Sequence, residues 1–278
     1  MREVIITDNS AETIICVNCN KTNSIVKEHC KSCGCFLWEE QPQNETKNEI
    51  QSTCSWEIQG ASFIGRRQNN EDAYLIKSTE SYHDNKSETI HLLAVADGMG
   101  GLKNGEEASR TAVTTISRSI TKDTFFLKTS IKAANTKIYI EGLKKSMEMG
   151  TTIMAALITN EEIHVFWAGD SPLYHIRENE IIFRTEDHTD KPGSNLLTKS
   201  LGAEEFIELS ETKLQAKPGD FILLCSDGLS GFMKDREICE IISASNSLQD
   251  ACNSMMRNAL ENGSNDNITA ILAGYGSR

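Results

Sequence analysis

From Trp56 onward the chain is built of short apolar runs separated by polar, glycine-rich or aspartate-rich breaks. Runs of this length, rich in Ile, Val and Phe, predict strands at Trp56–Ile64, Ala73–Ile76, Thr89–Ala96, Thr151–Thr159, Ile163–Ala168, Leu173–Ile176, Ile181–Arg184, Phe206–Leu214, Phe221–Cys225 and Ile268–Ala273. Gly169-Asp170-Ser171 marks a turn between two of them. A second pattern, with apolar residues recurring at helical spacing, predicts helices over Gly105–Ile120, Thr124–Leu143, Asp235–Ile242 and Leu248–Asn262. In the last, Leu248, Cys252, Met255, Met256 and Ala259 share one face, and Gly263 supplies the stop. Strands, then helices, then strands again argue for an α+β domain with antiparallel sheets.

Upstream the pattern changes. Residues 1–40 hold five of the nine cysteines, residues 41–53 are a polar linker containing Pro42, and residues 54–278 form the main domain. The clustered cysteines read Cys16-x2-Cys19, ten residues, then Cys30-x2-Cys33. Two such knuckles suit a tetrahedral zinc ion, and a segment this short needs metal to fold. A redox CxxC pair is the alternative. The stretch CVNCNKTNSIVKEHCKSCGCFLW resembles small bacterial zinc ribbons, which implies one structural zinc and no particular function.

Composition narrows the partners. The formal net charge is −12, and residues 1–40 carry four Lys/Arg against six Asp/Glu, so neither part suits nucleic acid or an anionic membrane. No apolar run approaches the roughly 20 residues needed to cross a bilayer. The N-terminus is acidic and lacks a signal-peptide apolar core, which predicts a cytoplasmic protein.

The chemistry lies in four acidic motifs at strand ends. They are Asn70-Glu71-Asp72, Asp97-Gly98-Met99-Gly100-Gly101, Ser226-Asp227-Gly228 and Asn265-Asp266-Asn267. A strand that delivers an aspartate followed by glycine puts a carboxylate at the sheet edge, where the backbone can bend around a hard divalent cation. Paired cations of this kind can activate a water for attack on phosphorus. One such motif alone is usually a turn; four together favour a metal site. Residue types alone leave that choice open and do not select a substrate.

From Gly60 to Gly274 the stretches GRRQNNEDAYL, LLAVADGMGG, GTTIMAAL, VFWAGDSPLYHI, EDHT, NLLTKSLG, PGDFILLCSDGLSG and ALENGSNDNITAIL resemble, in order, the type 2C (PPM) metal-dependent protein phosphatases in their bacterial form. The resemblance implies a central β-sandwich of two antiparallel sheets flanked by helices, and hydrolysis of phosphoserine and phosphothreonine by a metal-activated water. It implies two Mn²⁺ or Mg²⁺ ions, with Asp97 bridging them, Gly98 lending its carbonyl, Asp227 and Asp266 on the first ion and Glu71 on the second. Asp72 and Asn267 stand behind these ligands, and Arg67 grips the substrate phosphate with its planar fork. Phosphorylated proteins, and a cognate Ser/Thr kinase or its targets, are the partners implied.

Several positions depart from the family pattern. Met99 stands where eukaryotic relatives carry a proposed general-acid histidine, and Pro172 where arginine is usual. Before the GTT motif the chain has Ser146-Met147-Glu148-Met149, so Glu148 is the carboxylate offered for a third ion, which stays open. The segment between His188 and Leu196 is short, and His188 reads as a structural residue of the EDHT turn. Two other readings remain: a scaffold with a degenerate site whose ribbon binds a protein, and a phosphohydrolase of small phosphate esters.

Overall fold

The computed structural model describes residues 55–276, apart from positions 84–85, 100–102, 122, 161, 192 and 195, together with the short strands β1 (Thr13–Ile15) and β2 (Thr22–Ser24). The chain divides into two compact units, one of Thr7–Thr53 and one containing Cys54–Arg278. In the first, β1 and β2 pair antiparallel, Thr13 opposite Ser24. Cys16, Cys19, Cys30 and Cys33 lie outside the described residues.

The second unit is a sandwich of two sheets whose strand pairs are all antiparallel. One sheet runs β10 (Glu180–Arg184), β9 (Leu173–Arg177), β12 (Phe221–Cys225), β13 (Ile268–Tyr275), β3 (Trp56–Phe63). The other runs β11 (Ser210–Gln215), β8 (Glu162–Ala168), β7 (Ile153–Ile158), β5 (Lys86–Met99), β4 (Asp72–His83), with the two-residue β6 (Gly150–Thr151) paired to the end of β5. Helices α1 (Lys103–Ile116) and α2 (Thr124–Lys145) cover the second sheet. Helices α3 (Asp227–Ser230), α4 (Asp235–Ala244) and α5 (Leu248–Glu261) cover the first.

Because each sheet is covered on both sides, its central strands must be apolar on both faces. In β5, Leu92, Ala94 and Ala96 face the helices, while Leu93 and Val95 face the other sheet. In β12, Leu223 and Cys225 pack against helices, and Ile222 and Leu224 against the opposing sheet. The uninterrupted runs LLAVA and FILLC have this origin.

The strands and helices predicted from the sequence are present, with altered limits. Strand β4 continues past Ile76 to His83, because an edge strand keeps its backbone ladder to β5 while its side chains turn polar. Phe206, 80% exposed, precedes β11 rather than starting it. Thr152 divides the expected Thr151–Thr159 strand, since its backbone bonds across to Asp97. Helix α1 ends at Ile116, where the Ser117 hydroxyl donates back to the Thr114 carbonyl. The four-residue helix α3 lies at the Ser226-Asp227-Gly228 motif, where no helix is predicted from the sequence.

Two buried polar groups support the scaffold away from the acidic motifs. Asp220, fully buried just before β12, accepts from Arg177 Nε at 2.7 Å and from the Lys217 amide at 2.8 Å, and bonds His175 Nε2 at 2.8 Å. Burial pushes its carboxyl up, but the Arg177 and His175 hydrogen bonds outweigh it and the pKa ends below the ordinary value. His91 is buried in β5 with Ser78 Oγ 2.7 Å from its Nδ1, and burial lowers its pKa from 6.5 to about 4.

Asp220→Ala should cost about 2–4 kcal/mol in chemical denaturation, because it leaves the buried His175 ring and the Lys217 amide without their partner; a loss under about 1 kcal/mol would contradict this. Histidine 91 takes up a proton on unfolding between its folded and unfolded pKa values, so stability should fall as pH drops from 6.5 to 4, by up to about 3 kcal/mol. His91→Gln should flatten that part of the stability–pH curve.

Candidate metal centre

Antiparallel pairing collects the acidic motifs. Asp72 opens β4 directly opposite Asp97 near the end of β5. Asp227 follows β12 by two residues and Asp266 precedes β13 by two, and the register Cys225 opposite Ala270 brings those ends together. The loop 64–71 leaves β3 beside Ile268, at the same edge. Acids up to 195 positions apart in sequence, Glu71 and Asp266, thus come to one end of the sandwich.

Asp97 is fixed through its backbone. Its amide donates to Thr152 Oγ1 at 2.9 Å, and its carbonyl accepts from the Thr152 amide and the Thr151 hydroxyl, both at 2.8 Å. Thr152 Oγ1 also bonds Ser171 Oγ at 2.7 Å, which ties in the β8–β9 turn. With its backbone satisfied, the Asp97 carboxylate is left for chemistry. Gly98 follows because nothing larger fits: a Cβ there would lie 2.1 Å from the Gly105 carbonyl oxygen and 2.6 Å from that of Glu71.

Asn267 organises the loop that carries Glu71 and Arg67. Its Nδ2 donates to the carbonyls of Ile64 (2.8 Å) and Asn69 (2.9 Å), and its Oδ1 accepts from the Glu71 amide at 2.8 Å. Arg67 Nη2 donates to Asp266 Oδ2 at 2.6 Å, with the arginine side chain 55% exposed. Behind the edge, Ser226 Oγ donates to Asp72 Oδ2 at 2.8 Å and accepts from the Thr269 amide at 3.0 Å.

The electrostatics are those of crowded acids. Burial, then repulsion from Asp72 and Asp227, holds the Asp97 carboxyl well above the carboxylate range. Burial raises Asp72 to about 7 against the hydrogen bonds of Thr269 and Ser226. Burial also raises Asp227, partly offset by a hydrogen bond with Asp97, and raises Glu71, partly offset by Arg67. Asp72 Oδ1 and Asp227 Oδ1 are buried without any hydrogen-bond partner. An unpaired buried carboxylate oxygen is costly and rare. An all-oxygen set with two free buried acceptors and uncompensated negative charge fits a hard divalent cation. Among the described residues no three His, Cys, Asp or Glu side chains close into a finished cage, and Asp266 is occupied by Arg67.

Some contributors escaped the sequence reading. Asp170, in the β8–β9 turn, is raised to about 6 by burial and then by the charge of Asp227, so it belongs to the same acidic field. Thr152 and Ser226 were read only as parts of motifs. His188 takes the structural place expected of it: Nδ1 accepts from the Gly169 amide at 3.1 Å, leaving Nε2–H to donate to Ser210 Oγ at 2.8 Å. Its ring stacks on Trp167, with centroids 6.0 Å apart. Glu148 is exposed ahead of β6.

Residues 59–273 match the family described as Protein phosphatase 2C. The serine/threonine phosphatase stp of Listeria welshimeri is 29% identical over 209 residues, covering 65% of this chain and 83% of its own. The solved serine/threonine phosphatase of S. agalactiae superposes with a TM-score of 0.71 at 28% identity, covering 79% of this chain and 99% of its own. The catalytic domain of the serine threonine protein phosphatase PstP, solved with two manganese ions, gives 0.68 at 28% identity, covering 81% and 100%.

Asn267→Ala removes three hydrogen bonds from half-buried backbone and should cost about 2–4 kcal/mol, a fall in Tm of roughly 5–15 °C. A melting temperature within about 2 °C of the parent would show that the loop holds itself.

Proposed function

The chain belongs to the protein phosphatase 2C family, and from that premise we propose that it hydrolyses phosphoserine and phosphothreonine in proteins at the acidic edge of the sandwich. The observation that carries the reading is the pair of partnerless buried oxygens on Asp72 and Asp227 within a group of mutually repelling acids. Asp97, Asp227, Asp266, Glu71 and the Gly98 carbonyl would hold two Mn²⁺ or Mg²⁺ ions. Bound there, the ions supply Lewis-acid charge and an acidified water as nucleophile. Asp97, its backbone clamped by Thr151 and Thr152, presents its carboxylate in a fixed position. Arg67 orients the phosphate by its two-pronged donor face. Asp72, tied to Ser226, and Asn267, tied to the loop, keep the ligands in place. The nearby described thiol, Cys225, is buried with its pKa pushed above the usual range, which disfavours a cysteine phosphoenzyme.

The rest of the reading rests on sequence. Cys16, Cys19, Cys30 and Cys33 are assigned to one structural Zn²⁺ in a ribbon over residues 1–40, followed by the linker 41–53 and the phosphatase domain 54–278. That ribbon would choose partners rather than assist the chemistry. A bacterial-type Ser/Thr kinase or its targets are the proteins it would work beside. Among the described residues no helix is long and apolar enough to cross a membrane. The free thiols of Cys225, Cys239 and Cys252 suit the reducing cytoplasm.

With Mn²⁺, the protein should turn over an aryl phosphate and phosphothreonine peptides faster than nucleotides. Asp97→Asn and Asp227→Asn should each lower kcat at least ~10³-fold with an unchanged circular dichroism spectrum. Folded, Mn²⁺-saturated protein without turnover would sink the proposal. Removing residues 1–50 should spare activity on the aryl phosphate and release one zinc equivalent, measured by atomic absorption.

A further inference from the structure

The arginine assigned to the phosphate and the aspartate assigned to the cation are bonded to each other. Arg67 Nη2 lies 2.6 Å from Asp266 Oδ2, while Asp266 Oδ1 is taken by the Asn267 amide at 2.8 Å. Glu71 and Asp97 add their fields to the same guanidinium. The positive charge of Arg67 is therefore held by three of the carboxylates that would hold a cation.

The backbone beneath Arg67 cannot move far. Asn267 grips it at Ile64, Asn69 and Glu71, and the Arg67 amide itself donates to the Ile64 carbonyl at 3.4 Å. Gly65 turns this loop at φ +63°, where a Cβ would lie 2.0 Å from the Asp266 carbonyl oxygen. The side chain, by contrast, is more than half exposed, and positions 66–68 are the exposed crest of the loop. A long side chain on a pinned turn can swing between two partners without disturbing the fold.

We propose that the Arg67–Asp266 ion pair is a latch that a divalent cation opens. The cation and the guanidinium compete for Asp266; a cation seated there repels Arg67 and turns its fork outward, where a phosphate dianion is its remaining partner. Cation loading and phosphate capture are thereby one coupled event, and the enzyme without its ion keeps its phosphate-binding arginine folded away. Coupling of this kind is reciprocal. The inference rests on the assignment of Asp266 to the cation site.

The test is calorimetric titration of Mn²⁺ into the full chain at low ionic strength, counting only the heat that Asp227→Asn removes. Arg67→Gln should tighten Mn²⁺ binding about tenfold, and the gain should shrink at high salt as the charges are screened. Arg66→Gln, one residue away and equally cationic, should change it by less than about twofold, which separates the latch from general charge. If Arg67→Gln tightens binding by less than about threefold, or weakens it, while the parent still binds Mn²⁺, the latch is wrong and the metal site stands. If the parent binds no Mn²⁺ that Asp227→Asn abolishes, the site assignment fails and the latch with it.

Discussion

Keeping the carboxylates of Asp72, Asp97 and Asp227 close together, the first buried and the other two half-buried, is the constraint around which this domain is organised. Each is made harder to ionise by burial, and each suffers from its neighbours. The cation that reaches this group is Arg67, which is bonded to Asp266 and only partly offsets the rise at Asp227. The protein uses Thr151, Thr152, Ser226 and Asn267 to fix backbone and supporting atoms, and leaves Oδ1 of Asp72 and of Asp227 without a donor. A site built so is stable only because the surrounding sandwich is over-determined, and it gains most from whatever brings positive charge.

Much of this could be read along the chain, for a physical reason. Central strands covered on both faces must be apolar without alternation, so LLAVA and FILLC announce themselves, and the acids that follow them fall at the sheet edge. Positions whose meaning lies in distant contacts could not be read. The hydroxyl of Thr152 matters because it meets Asp97, 55 residues earlier, and Asp170 matters because it shares the field of Asp227. Strand β4 outran its expected end because backbone pairing with β5 persists where apolar side chains stop. Phe206, apolar but exposed, drew the expected start of β11 too early.

Under the proposed function Arg67 would serve two charge balances with one side chain. On the crest of a loop whose ends are held by Asn267, it is bonded to Asp266, and its exposure is what would let it turn to an anion once that bond is released. Arginine suits this better than lysine, since its weakly hydrated, forked cation binds a carboxylate or a phosphate with equal geometry.

Strand β12 carries an acid just beyond each end, and the two are treated in opposite ways. Asp220, before it, is clasped by Arg177 and His175 within the chain itself, whereas Asp227, after it, has no such internal counterweight. The architecture therefore locks one extremity within the chain and leaves the other with an open acceptor, which the proposed cation would complete. On that reading folding and activation would be separable: the polypeptide could reach its final shape under ion scarcity, stay intact but silent, and be awakened by the ionic supply alone.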